Sequence, residues 1–265
     1  MFGLGEPLPT PLDLRFNLFR FPVRIHPFFW IISLIMGSNQ ELLQLILIWV
    51  VAIFISILVH ELGHAFAFRY FGTESHIVLH GYGGLCIPDA GFTRWDYRNR
   101  DHTPREQIII SAAGPAAGFL FAGVVVGVTY ILAATQGITY PVWPHFGWPY
   151  LLMWVPNPEF VFWTGFYPYV FIHDLLFINI FWGLVNLLPV LPLDGGQIAK
   201  SLFDIADHDN PTRSAQQVSV VVGIVVAVWA ISQQSIYIAL MFGMLAYQNY
   251  AAQQSGGYGD GNSWR

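Results

Sequence analysis

Residues 42–64 read LLQLILIWVVAIFISILVHELGH. From Leu42 to Val59 the run is apolar but for Gln44 and Ser56, and it then meets three ionisable side chains in five positions: His60, Glu61 and His64. An apolar stretch of about 18 residues or more reads as a membrane-spanning helix. On a helix, positions i and i+4 share a face, so His60 and His64 project together, with Glu61 about 100° further round the axis. The stretch thus points to the bilayer as solvent and places a reactive cluster at one end of a span.

Composition extends that reading to the whole chain. Of 265 residues, 55% are hydrophobic and 10% are charged, against about 25% charged in an ordinary soluble domain. So few charges cannot cover a soluble surface of this size. The 17% aromatic content suits the membrane–water interface, where Trp and Tyr gather. A net charge of −5 without a basic run excludes an ordinary nucleic-acid binder. The single Cys86 excludes an intrachain disulfide and a thiolate metal cluster.

Apolar stretches recur at Ile25–Met36, Leu42–Leu62, Ile108–Ala133, Val170–Leu188, Val218–Ile231 and Ile236–Tyr247. The fold class this predicts is an all-α polytopic membrane protein of about six transmembrane helices. The first stretch is short, and is read as a retained span because no small-residue cleavage site follows it. With six crossings, all eleven Lys and Arg residues fall on one side, including Arg15, Arg20, Arg24, Arg94, Arg98, Arg100 and Lys200. Thr135–Tyr169 carries none. The positive-inside rule then makes both termini cytoplasmic. In a bacterial host that means the inner membrane.

Local signals mark boundaries. Thr103-Pro104-Arg105-Glu106 is a capping box with Pro at the first helical position, and should start the third span. Gly114 and Gly118 have the spacing that admits a second helix closely, with Pro115 a candidate kink between them. His76–Leu85 reads as a strand leading into a Gly-rich turn, and Ser232–Ser235 as a tight turn. Residues 1–251 are read as a single membrane-embedded domain and 252–265 as a disordered tail.

The chemistry lies in H-E-x-x-H. Two imidazoles on one helix face hold a metal while the carboxylate beside them takes a proton from water; Zn²⁺ is the default ion for such a set. The bland alternative, two core histidines and a snorkelling Glu, leaves costly groups without a use. Each ionisable side chain at the centre of a span costs about 2.5–3.5 kcal/mol. A catalytic zinc needs a third protein ligand. Asp194 fits best, in Asn186-Leu-Leu-Pro189-Val-Leu-Pro192-Leu-Asp194-Gly195-Gly196. Prolines and glycines make this segment irregular, and irregular backbone at membrane depth is tolerated only in protein or beside a cavity. An ordinary helix exit with an exposed Asp is the competing account.

H-E-L-G-H together with N-x-x-P-x-x-P-L-D-G-G resembles the site-2 proteases, the intramembrane zinc metalloproteases of peptidase family M50. The Gly114-Pro115 segment and the Pro22–His26 approach to the first span look similar to that family too. The resemblance implies one Zn²⁺ per chain on His60, His64 and Asp194, with Glu61 as general base. It suggests that Asn186 positions the substrate backbone or stabilises the oxyanion. It implies a membrane-anchored protein substrate cut within or near its transmembrane segment, and membrane lipid as surroundings. The strand around Ile77–Leu79 looks like the family's membrane-edge sheet, where an unwound substrate pairs as an added strand. No PDZ domain fits the external loop and no CBS pair follows the last span.

Rival readings are a prenyl-protein protease type and a non-enzymatic metal-binding scaffold or transporter. The first looks for a Glu as third ligand, and the second leaves Glu61 without a role. Elsewhere, His76 and His80 are also four apart, but their segment reads as strand and has no acidic base between them, His173-Asp174 reads as a helix-terminal pair, and Asp204, Asp207, His208 and Asp209 as a solvated cluster. Ser56 is expected to bond its own helix backbone.

Overall fold

The structure is a computed structural model that describes residues 6–38, 42–81, 83–89, 102–138, 142–145, 153–156, 158–206 and 209–256. The chain divides into two compact units, one of residues 1–101 with 113–183, the other of 102–112 with 184–265.

The first unit begins with strands β1 (Leu14–Leu18) and β2 (Phe21–Ile25), followed by helices α1 (Pro27–Gly37) and α2 (Leu43–Tyr70) and strands β3 (Ser75–His80) and β4 (Gly83–Pro88). Helix α3 (Pro104–Ala134) comes next and belongs to this unit from Ala113 onward, then a two-stranded ladder of β5 (Val142–His145) and β6 (Met153–Pro156), helices α4 (Pro158–Thr164) and α5 (Phe166–Phe177), and a π-helical turn, Ile178–Trp182.

At 28 residues, α2 is about 42 Å long at 1.5 Å per residue, enough for about 30 Å of hydrocarbon. β-branched residues are poor helix formers in water, but in lipid the backbone has no other partner for its polar groups. A Schellman motif stops the helix. Gly72, at φ +83°, donates to the Arg69 carbonyl, and the next residue's N–H reaches the Phe68 carbonyl at 2.9 Å; glycine takes this left-handed position without penalty. The chain then turns directly into β3.

The four strands form one sheet in the order β1-β2-β3-β4. β1 and β2 are an antiparallel hairpin, β2 and β3 run parallel, and β3 and β4 are antiparallel. Alternation along β2 sends Phe21, Val23 and Ile25 into the core. There they join Phe29, Ala52, Ile53, Leu58, Leu62, Ile77, Leu79, Leu175 and Ile178. The hairpin escaped the sequence reading because its turn, Phe19-Arg20, lacks Gly and Asn, although both residues sit at positive φ (50° and 69°). Arg69 of α2 holds that turn: its Nη1 donates to the Phe19 carbonyl at 2.9 Å, and its guanidinium lies 3.5 Å from the centre of the Phe21 ring.

The second unit contains α6 (Gly183–Asn186) from Leu184 onward, α7 (Asp194–Ile205), α8 (Pro211–Ser232) and α9 (Ile236–Gly256). Asn210 caps α8 by accepting the Arg213 N–H at 3.0 Å, with Pro211 at the first helical position. α8 and α9 are an antiparallel pair turning at Gln234, at φ +59°.

Several expectations change. Among the described residues, four helices are long and apolar enough to cross a membrane: Leu43–Tyr70, Pro104–Ala134, Phe166–Asn186 and Pro211–Ser232. The first apolar stretch gives only the 11-residue α1, about 16 Å long, with Ile25 in β2 and His26 as its N-cap. The six-span count is therefore approximate. Ile77–Leu79 belongs to the small sheet that was expected, on an inner strand: β3 pairs with β2 and β4, and among the described residues β1 and β4 are the outer strands. α9 continues to Gly256, five residues into the expected tail. The capping box is present, with Thr103 N–H on Glu106 Oε2 at 2.9 Å and the return bond at 3.3 Å. Pro115 is accommodated inside one helix. His173-Asp174 lies within α5 rather than at its end, with Asp174 buried. Arg94, Arg98, Arg100, Asp207, His208, parts of the Thr135–Tyr169 loop and residues 257–265 lie outside the described residues.

Candidate metal centre

His60 and His64 come together as their spacing requires. Their Nε2 atoms are 3.2 Å apart, and the rings meet edge-on with centroids 4.9 Å apart. Two nitrogens at about 2.05 Å from one ion, with a tetrahedral angle between them, stand about 3.3 Å apart. The observed separation matches, so the pair suits zinc without rearrangement.

The opposite wall is the backbone of α3. A Cβ built on Gly114 would overlap the His64 imidazole and stand 2.7 Å from His60 Nε2. Any side chain there would fill the space that the two nitrogens face. The close approach is mutual, since a Cβ on Gly63 of α2 would strike the Ala113 carbonyl and lie 2.8 Å from Ala117 Cβ. Small residues on both helices thus let the backbones touch beside the histidines. The sequence marked Gly114 as a point of close helix approach, but not Gly63, which occupies an unspecified position of H-E-x-x-H; Gly118 faces Asn179 instead.

Glu61 is buried, 5% exposed. Its carboxyl lies against the backbone of β4, where a Cβ on Gly84 would overlap Glu61 Cγ and Oε1. The edge strand therefore runs beside the candidate base. Cys86 on the same strand has its thiol pushed up to about 12 by burial, with the Glu61 charge adding to the effect; it is no nucleophile at neutral pH.

A buried clamp lies one turn before His60 on α2. Asn179, in the π-helical turn, donates from Nδ2 to Ser56 Oγ at 2.8 Å and to the Leu175 carbonyl at 2.8 Å. Ser56 was expected to serve its own helix and instead receives this partner. The π turn supplies the reason, because π bulges displace a residue from the regular helical ladder and recur at functional sites. A polar residue within an apolar span was the available signal.

In the second unit, Asp194 is the first residue of α7, where the helix dipole favours a carboxylate. Gly195 and Gly196 follow because α7 begins directly on the backbone of the preceding loop. A Cβ on Gly195 would strike the Leu187 carbonyl, and one on Gly196 would stand 2.5 Å from Leu191 N. Asn186 is the last residue of α6 and is partly buried. Among the described residues, His60, His64 and Asp194 are the group able to offer three donor atoms to one metal ion. Two imidazoles and a carboxylate are a donor set that suits zinc.

His76 and His80 belong to other networks. His76 pairs with Asp89 and lies 3.6 Å from Glu6. His80 is buried, and its burial, with His26 and Arg24 nearby, lowers its pKa below the ordinary value.

Residues 48–230, more than half of the chain, match the model of Peptidase family M50. Zinc metalloprotease MJ0392 of Methanocaldococcus jannaschii is 22% identical over 193 residues, covering 71% of this chain and 44% of that protein. The chain thus spans less than half the length of that curated relative. The solved Site-2 Protease from Methanocaldococcus jannaschii has the same fold, with a TM-score of 0.51 at 18% identity over 91% of this chain and 95% of that one. The matched segment takes in the H-E-L-G-H helix, the Gly114 wall and the Asp194 loop, and the chain belongs to peptidase family M50.

Proposed function

We propose that this chain is a zinc-dependent endopeptidase that hydrolyses a peptide bond within or near a transmembrane segment of a membrane-anchored protein. The observation that carries the reading is the pair of imidazole nitrogens 3.2 Å apart on the helix that also bears buried Glu61. His60, His64 and Asp194 would hold the zinc ion, one per chain. When bound, zinc supplies Lewis acidity to the scissile carbonyl and lowers the pKa of water.

Glu61 takes the proton of the attacking water and later delivers it to the leaving amine nitrogen. Its burial against β4 favours a base shielded from bulk water. Asn186 would orient the substrate backbone or donate to the developing oxyanion. A transmembrane helix hides its amides in its own hydrogen bonds and must unwind before cleavage. The edge position of β4, with Gly84 beside Glu61, supports this strand as the template on which the unwound segment pairs. The basic residues support an orientation with both termini in the cytoplasm, in the cell membrane.

The test is cleavage of a model transmembrane substrate by wild-type protein and Glu61→Gln, with zinc measured on both. One zinc on each, with cleavage reduced about 10²–10⁴-fold in the variant, is expected. Cleavage by Glu61→Gln at the wild-type rate overturns the assignment of the base. Zinc on both without cleavage by either favours a scaffold.

A further inference from the structure

The loop before Asp194 is held by two polar side chains that no motif contains. Leu191 N–H donates to Ser219 Oγ of α8 at 2.8 Å, and the Leu191 carbonyl accepts from Asn249 Nδ2 of α9 at 2.7 Å. Ser219 is fully buried and Asn249 is 7% exposed. Each is also tied to its own helix: Ser219 Oγ donates to the Ala215 carbonyl at 2.7 Å, and Asn249 Nδ2 donates its other hydrogen to the Leu245 carbonyl at 2.9 Å. The Ser219 hydroxyl hydrogen and both Asn249 amide hydrogens are therefore used.

The same residue is the surface on which α7 begins. The backbone of Gly196, two residues beyond Asp194, lies against Val190 and Leu191, where a Cβ would stand 2.5 Å from Leu191 N and from Val190 C. Pro189 and Pro192 flank this stretch and have no N–H to give. The loop's own backbone bonds, Val190 N–H to the Leu188 carbonyl at 2.7 Å and Leu193 N–H to the Val190 carbonyl at 2.8 Å, pass over Leu191, whose two polar groups are met by α8 and α9. A displacement of Leu191 passes directly into the first turn of α7, which starts with Asp194.

We propose that Ser219 and Asn249 are positioning residues for Asp194. Together they hold both backbone polar groups of Leu191 and so set the direction from which the Asp194 carboxylate meets the metal. The inference rests on the reading of Asp194 as a zinc ligand. Asn249 lies beyond residues 48–230, the segment matched by the family model, so this half of the clamp belongs to the chain's own last helix. It gives two polar residues in apolar helices a use, and it makes metal affinity depend on the α8–α9 pair.

The experiment is zinc affinity of the purified full chain in detergent, by chelator competition, for wild type, Asn249→Leu, Ser219→Ala, Ser219→Thr and Asp194→Asn. Each is measured well below its own melting temperature. Visible spectra of the cobalt-loaded proteins are recorded alongside. Ser219→Ala removes one oxygen and adds no bulk, so it decides the matter if Asn249→Leu does not fold. The expected result is a zinc Kd raised about 10–100-fold in Asn249→Leu and Ser219→Ala, with an altered cobalt band. Ser219→Thr, which restores the oxygen, recovers part of the affinity. Wild-type Kd and cobalt band in both variants, whatever their melting temperatures, overturn the proposal and leave the clamp as a structural bond. Unchanged zinc affinity in Asp194→Asn overturns the underlying assignment of the ligand, and the proposal with it.

Discussion

Gly114→Ala is the substitution that most directly probes the space between the two histidines. A methyl there would stand 2.7 Å from His60 Nε2 and overlap the His64 ring, whereas ordinary contacts to a Cβ begin near 3.4 Å. His60 would have to retreat by the difference, about 0.7 Å, and His64 further. Zinc–ligand distances hold to within about 0.2 Å, so neither nitrogen could keep its place. The other escape is for α3 to move away. That strains the contact at Gly63, where the helices already touch, and such overpacking costs about 1–3 kcal/mol. By either route the zinc Kd should rise about 10–100-fold, the range seen when the groups supporting a ligand are lost. Chelator competition on purified protein measures it, with no substrate needed. Gly123→Ala on the same helix is the control, since nothing lies within 4 Å of a Cβ there. It should leave zinc affinity unchanged and, by reducing backbone freedom, stabilise slightly, by about 0.5–1 kcal/mol. A Gly114→Ala protein that binds zinc as tightly as wild type would refute the reasoning, because the space between the imidazoles would then not be the metal's.

Three further outcomes are expected. Gly84→Ala should push the Glu61 carboxyl from its position, lowering kcat at least tenfold while zinc content stays at the wild-type value; equal kcat would dissociate β4 from the base. Asn179→Leu should leave Ser56 without its partner and cost about 1–3 kcal/mol in thermal unfolding, and a double-mutant cycle with Ser56→Ala should show coupling, since the pair is in direct contact. Asp13 has a fully buried side chain bonded to Thr10 N at 3.0 Å, Thr10 Oγ1 at 2.6 Å and Arg24 Nη1 at 3.0 Å. Burial opposes its ionisation, but the Thr10 bonds and the Arg24 guanidinium outweigh it and hold the carboxyl well below the usual range. A depressed carboxyl stabilises fully above its unfolded pKa of about 3.9 and loses that contribution as pH falls towards the folded value. Melting temperature should therefore be insensitive to this group from pH 7 to 5 and fall below about pH 4, and Asp13→Asn should lower the pH 7 value and remove that part of the acid dependence.

Expectations from the chain held wherever the physics is local. An apolar run long enough for the bilayer is helical because its backbone has no other partner, and the i, i+4 register brings His60 and His64 together whatever surrounds them. Thr103 and Glu106 cap α3 for the same reason: the bonded atoms are three residues apart. Asp194 stood out in the chain because Pro and Gly mark an irregular segment beside a span, and it is one of three residues able to offer donor atoms to one ion. What the chain did not disclose lies between residues far apart in sequence. Asn179 meets Ser56 across 123 positions, and Asn249 meets Leu191 across 58; a polar residue in an apolar helix announces that it needs a partner but not which one. Gly63 and Gly84 carry no pattern of their own, and their necessity appears only when another backbone or a carboxyl stands against them. The sheet was half legible. β3 and β4 have a Gly-rich turn, while the Phe19-Arg20 turn is held in place by Arg69, fifty residues away, and so left no local sign. Helix formation and the shared face of the two histidines were thus written in short-range chemistry, and tertiary packing decided which backbone faces the two imidazoles, which strands lie outermost in the sheet and which side chains bond the backbone of Leu191.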